Sequence, residues 1–166
     1  VSELARGFDE RPVEPREEQK SIGGEDTFER DTNSREFIEK HLLAQVTRVA
    51  RRLNQASLVG YVVAVRIKDS SFQRRSAQTT LSSPVFDTDS LWVIAKELLD
   101  KLLLDKPMLR LVGVAVSSLS EGELQPSLFT DHTKNKRETI QEVSDDIVSR
   151  FGKAGLVRGT LLQKDE

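Results

Sequence analysis

The chain has 166 residues, 37% of them hydrophobic, with no cysteine and two histidines far apart in sequence, enough for one modest core and excluding a disulfide framework or the usual zinc spacings. Its formal net charge of −2 excludes a uniformly basic nucleic-acid binder. No apolar run approaches the roughly 20 residues that a bilayer span requires, so a soluble, cytoplasmic protein is expected.

Counted by segment, the charge is uneven. Residues 1–31 hold 5 Lys/Arg against 10 Asp/Glu, while residues 32–82 hold 9 against 3. Positive charge gathered in one third of the chain has the form of a footprint for a polyanion.

Taken in order, residues 1–20 contain Pro12, Pro15 and dense mixed charge without periodicity, and read as a linker. A short extended segment over 24–31 ends where Asn33 and Glu36 form an N-cap signature. The helix that follows carries Phe37, Ile38, Leu42, Val46, Val49, Ala50 and Leu53 on one stripe. Arg48, Arg51 and Arg52 fall on its wet side. "VGYVVAVRIK" (59–68) and "FQRRSAQTTL" (72–81) read as a hairpin joined through Asp69, Ser70 and Ser71. Thr88 is the expected cap of a second helix with Leu91, Ile94, Ala95, Leu98, Leu99, Leu102 and Leu103 on one side, ending before Pro107. "LRLVGVAVSSL" (109–119) is a last strand. Residues 136–151 form a third helix stopped by Gly152, with 155–162 extended after it.

The order β-α-β-β-α-β predicts an α+β fold: a four-stranded antiparallel or mixed sheet with two helices on one face, plus a C-terminal helical extension. The other sheet face is left open. If Val63, Val65 and Ile67 face the helices, Arg66 and Lys68 face outward; Val112, Val114 and Val116 inward leave Gly113, Ala115 and Ser117 outside. Phe72 starts the neighbouring strand, and Arg75, Ala77 and Thr79 share one face, with a register the turn leaves open. These residues alone suit an ordinary solvated sheet face as well as a nucleic-acid face.

"ARGFD" (5–9), "KSIGGEDTF" (20–28), "RIKDSSF" (66–72), "LRLVGVAVS" (109–117) and "QPSLF" (125–129) occur in an order that strongly resembles the C-terminal part of Y-family DNA polymerases, most closely the bacterial DNA polymerase IV type. The resemblance implies that 1–20 are the end of the thumb and a linker and that 21–120 are a little finger domain whose open sheet face lies along DNA. It makes 121–136 a linker with a clamp-binding peptide, and 137–166 a C-terminal helix and tail. Primer–template DNA would be held by phosphate contacts without sequence reading, from Ser21, Gly23, Arg66, Lys68, Arg74, Arg75, Thr79, Gly113, Ala115 and Ser117. Family members often carry arginines where this chain has Ala77, Thr79 and Ala115, which shifts the expected grip toward Arg74 and Arg75.

The same resemblance gives "QPSLF" a role on a sliding clamp: Gln125 would hydrogen-bond at the rim, and Leu128 and Phe129 would fill an apolar pocket. Pro126 departs from the commoner leucine and removes an amide donor. The competing reading packs Leu128 and Phe129 within the chain. The family's catalytic carboxylates and their Mg2+ ions belong to a palm domain that nothing here resembles, so no cofactor and no catalysis are expected of this fragment. Asp145 and Asp146 read as solvated helix residues. A clamp-bound Y-family adaptor without polymerase activity and a free-standing ferredoxin-like binding or regulatory domain are the alternative functions. The lack of paired aromatics on the central strands speaks against RNA recognition.

Overall fold

A computed structural model describes residues 6–8, 19–105, 107–121, 132–152, 155–157 and 159–161. Four strands and three helices follow in the order β1 (Ser21–Thr32), α1 (Arg35–Gln55), β2 (Leu58–Asp69), β3 (Arg74–Val85), α2 (Thr88–Leu102), β4 (Leu109–Glu121) and α3 (His132–Phe151). The sheet order is β1-β4-β2-β3, and every pairing is antiparallel. The α+β arrangement expected from the sequence is therefore present, in its antiparallel form.

Strand alternation builds the core. Ile22, Val63, Val65, Ile67, Val112, Val114 and Val116 are buried on one side of the sheet, against Leu42, Val46, Val49 and Leu53 of α1 and Leu91, Ala95, Leu98 and Leu99 of α2. Each fully buried Val, Ile or Leu stabilises the fold by about 1.5–3 kcal/mol. Helix α1 packs on β1, β4 and β2, and α2 on β3 and β2. Gly60 is required by this packing, since a Cβ there would lie 2.2 Å from Val116 Cγ1.

Local chemistry moves several expected boundaries. Ser34, not Asn33, caps α1: its hydroxyl accepts from the Phe37 amide at 3.4 Å. Asp87, not Thr88, caps α2 by accepting from the Ser90 amide at 2.9 Å. Thr88 is instead the buried first residue of α2. Phe37 leaves the core stripe and is exposed, its ring beside Phe28 and His41. Phe72 does not start a strand; it occupies the β2–β3 turn at a positive φ of 64°, and β3 begins at Arg74.

Helix α3 docks through polar atoms. The Gln141 side-chain Oε1 accepts from the Thr88 amide and hydroxyl at 3.4 and 3.0 Å. Ile140, Val143 and Phe151, which recur at helical spacing, are exposed. Gly152 follows the helix at a φ of +76°, and residues 159–161 form a 3-10 turn where an extended segment was expected.

Candidate nucleic-acid interface

Directly opposed residues of an antiparallel ladder project to the same side of the sheet, so the register assigns the open face residue by residue. Four cross-strand rows result, each running β1, β4, β2, β3. They are Ser21, Ser117, Val62, Thr80; Gly23, Ala115, Ala64, Gln78; Glu25, Gly113, Arg66, Ser76; and Thr27, Leu111, Lys68, Arg74. All are exposed or half-buried except Gly113.

Of the residues singled out in the sequence, Ser21, Gly23, Arg66, Lys68, Arg74, Gly113, Ala115 and Ser117 lie together on this face. Arg75 and Thr79 do not. Arg75 is opposite Ile67, Ala77 opposite Val65 and Thr79 opposite Val63, so all three belong to the helix-covered side. The ladder pairs Lys68 with Arg74, and this register, which strand periodicity alone does not specify, puts the odd-numbered residues of β3 on the covered side. Arg75 accordingly pairs with Asp105, at 3.6 Å. Gly113 also differs from expectation: it is covered, because a Cβ there would meet Glu25 Cγ at 2.6 Å. Gln125, Leu128 and Phe129 lie outside the described residues.

The positive charge collects at one end of the face. Arg66, Lys68, Arg74 and Ser76 line a depression of about 240 Å3 together with Glu25 and Leu111, and Ile67 and Arg75 border it as well. Glu25 faces Arg66 at 3.6 Å, and both side chains are at least half exposed, a pairing of about 0–1 kcal/mol that a stronger anion can replace. The rows of Ser21 and Gly23 carry no charge, and a second depression of about 220 Å3 lies between Gly23, Glu25, Arg66 and Ala115.

Sequence reading missed Arg110. Lys68 pairs with Leu111 and Asp69 with Leu109, so Arg110 is the extra residue of a bulge in β4, released from the inward side that strict alternation would give it. Its Nε and Nη2 donate to the two carboxylate oxygens of Asp31 at 2.9 and 3.0 Å. Hydrogen bonding from Arg110 holds the Asp31 carboxyl below its ordinary value, and Asp31 in turn holds the guanidinium above its own. Neither shift required burial.

On the opposite side of the molecule the arginines of α1 are not all solvated, as the sequence had suggested. Arg52 donates to the Gly23 carbonyl of edge strand β1 at 2.7 Å, which occupies a backbone acceptor that an edge would otherwise offer to another chain. Arg51 faces Asp145 of α3 at 3.7 Å. Asp145 is thus partly buried against α1, while Asp146 remains exposed beside Arg150. Among the described residues no cluster of three His, Asp or Glu converges as a metal site would require.

Residues 19–128 match the family model described as the impB/mucB/samB family C-terminal domain. DNA polymerase IV of Desulfatibacillum aliphaticivorans is 38% identical over 98% of this chain and 41% of its own length. DNA polymerase IV of Clostridium acetobutylicum is 30% identical over 100% of this chain and 42% of its own length. The chain therefore spans about two fifths of the curated relatives it matches. Among solved structures, DinB from Sulfolobus solfataricus superposes with a TM-score of 0.52 at 19% identity, covering 69% of this chain and 33% of that one. The little finger domain of PolIV, solved with the beta-clamp processivity factor, superposes with a TM-score of 0.51 at 23% identity, covering 66% of this chain and 99% of that one. The chain belongs to the impB/mucB/samB family of Y-family DNA polymerases, as a C-terminal little finger domain of the DNA polymerase IV type.

Proposed function

We propose that the open sheet face holds duplex DNA by its phosphates, inside a translesion polymerase whose nucleotidyl transfer and Mg2+ belong to the part of the relatives that this chain does not span. One observation carries the reading: Arg66, Lys68 and Arg74 occupy adjacent rows of an open face on which Glu25 is the one acid of the four rows. Cations of this kind release counterions from the DNA backbone, and the Ser21, Ser76, Thr80 and Ser117 hydroxyls add donors without reading bases. A hold that ignores sequence and tolerates distortion suits a polymerase that copies damaged template.

The domain also docks on a sliding clamp through Gln125, Leu128 and Phe129. Support comes from the peptide itself and from the PolIV little finger, a domain of this fold solved in complex with a clamp.

The DNA reading is tested by titrating the 166-residue chain onto a short duplex of arbitrary sequence across a salt series. Replacing Arg66, Lys68 and Arg74 by glutamine is expected to flatten the plot of log affinity against log salt by about 0.9 per lost phosphate contact. An unchanged slope rejects the face.

A further inference from the structure

Phe72 is a large apolar side chain, 58% exposed, in a turn, at a backbone φ of 64° that an aromatic residue rarely adopts. Neither burial nor backbone preference accounts for it. The turn nevertheless fixes it closely. The Asp69 carboxylate accepts from the amides of Ser71 and Gln73 at 2.9 and 3.0 Å, and the Phe72 amide donates to the Asp69 carbonyl at 3.0 Å. A further bond from the Ser70 amide to the Met108 carbonyl, 2.9 Å, ties the turn to the chain entering β4.

What the ring touches is cationic. Lys68 Nζ lies 4.6 Å from its centroid and the Arg110 guanidinium carbon 4.5 Å. A ring quadrupole attracts both charges, which would otherwise repel each other and spread into solvent. Lys68 comes from the last row of the open face, next to Arg74, and Arg110 from the β4 bulge, so the ring joins two cations from different strands at one end of that face. Asp31 engages Nε and Nη2 of Arg110 and, among the described residues, does not engage Nη1.

We propose that Phe72 is a positioning residue: its ring holds Lys68 and Arg110 as a paired grip on a DNA backbone phosphate at the hairpin end of the sheet. This rests on the phosphate-holding reading of the open face and adds to it a residue that is neither charged nor a hydrogen-bond donor. Rotamer freedom that long cations would lose on binding is already reduced in the free protein, so the contact forms at lower entropic cost.

The test compares the wild-type 166-residue chain with F72L, F72Y, R110Q and F72L/R110Q, titrated onto a short duplex of arbitrary sequence over a salt series. F72L and R110Q are each expected to weaken binding several-fold at low salt and to flatten the salt slope by about 0.9, the worth of one phosphate contact. The double variant is expected to lose no more than either single one, because the two residues act on one contact. F72Y, which keeps the ring, is expected to behave as wild type. In NMR spectra the Lys68 and Arg110 side-chain methylene protons should show ring-current shifts that disappear in F72L.

A wild-type slope in F72L, additive losses in the double variant, or an F72Y as weak as F72L each overturns the proposal. R110Q alters a half-buried surface pair outside the core and decides the matter even if F72L does not fold, since an unchanged slope in R110Q is also fatal. Flattening by the Arg66, Lys68 and Arg74 replacements without any effect of F72L or R110Q removes the Phe72 role and leaves the face standing. No effect of any of these replacements removes both.

Discussion

Arg75 stands opposite Ile67 in the β2–β3 ladder, while its chain neighbour Arg74 stands opposite Lys68. Consecutive arginines therefore leave the sheet on opposite sides, one toward Asp105 and the helices and the other toward solvent on the open face. The two have different expected functions. R74Q should weaken DNA binding and reduce the salt slope by about 0.9, whereas R75Q should leave the slope as it is. Anisotropy titrations of both variants over a salt series check this, and the reverse outcome would mean that β3 presents its other side to DNA.

Glu25 is the acid of the open face and lies 3.6 Å from Arg66. DNA phosphates compete with this carboxylate for the arginine and are repelled by it. E25Q is therefore expected to tighten DNA binding several-fold at low salt, with the gain fading as salt screens the exposed charges. Equal or weaker affinity in E25Q, measured by the same titration, would place the backbone away from this row.

Helix α3 is attached through Gln141, Thr88, Asp145 and Arg51. Burial raises the Asp145 carboxyl above its ordinary value of 3.8, against smaller opposing effects of Gln141 and Arg51. A carboxyl that keeps its proton more readily in the folded state contributes most at low pH, and that contribution is lost as pH rises through the raised value. Hydrogen-exchange protection of the α3 amides, corrected for intrinsic exchange, should thus increase as pH falls from neutral toward the range just above 3.8. D145N should show high protection already at neutral pH and little dependence on pH. Protection that falls on acidification in the wild type but not in D145N would reverse the sign and contradict the account.

How far the sequence carries can be judged from individual residues. The inward valines of β2 and β4 and the leucine stripes of both helices obey simple periods, so the core and the outward placement of Arg66 and Lys68 were legible. Register across a turn is not a periodic property. Phe72 and Gln73 belong to the turn, and the pairing of Lys68 with Arg74 beyond it puts Arg75 and Thr79 on the covered side. Arg110 was invisible for a related reason: alternation counts it inward, and only the bulge releases it. In α3 the docking contact was not legible because it is a hydrogen-bonded glutamine, which carries no hydrophobic period, while the apolar Ile140, Val143 and Phe151 are exposed.

The clamp peptide is separable from the DNA face. L128A/F129A should abolish binding to a purified sliding clamp, since two adjacent apolar anchors supply most of the energy of such a peptide. Its DNA salt slope should match wild type. Retained clamp affinity in a pull-down or surface-plasmon measurement would dismiss the peptide assignment without touching the sheet.

The most direct measurement for the whole account is an amide NMR map of the 166-residue chain titrated with duplex DNA. The account expects the largest shift changes along the open-face rows, at Ser21, Gly23, Arg66, Lys68, Arg74, Ser76, Ala115 and Ser117, with α1 and α2 nearly silent. Changes concentrated on the helices, with those eight amides unmoved at saturating DNA, would contradict it.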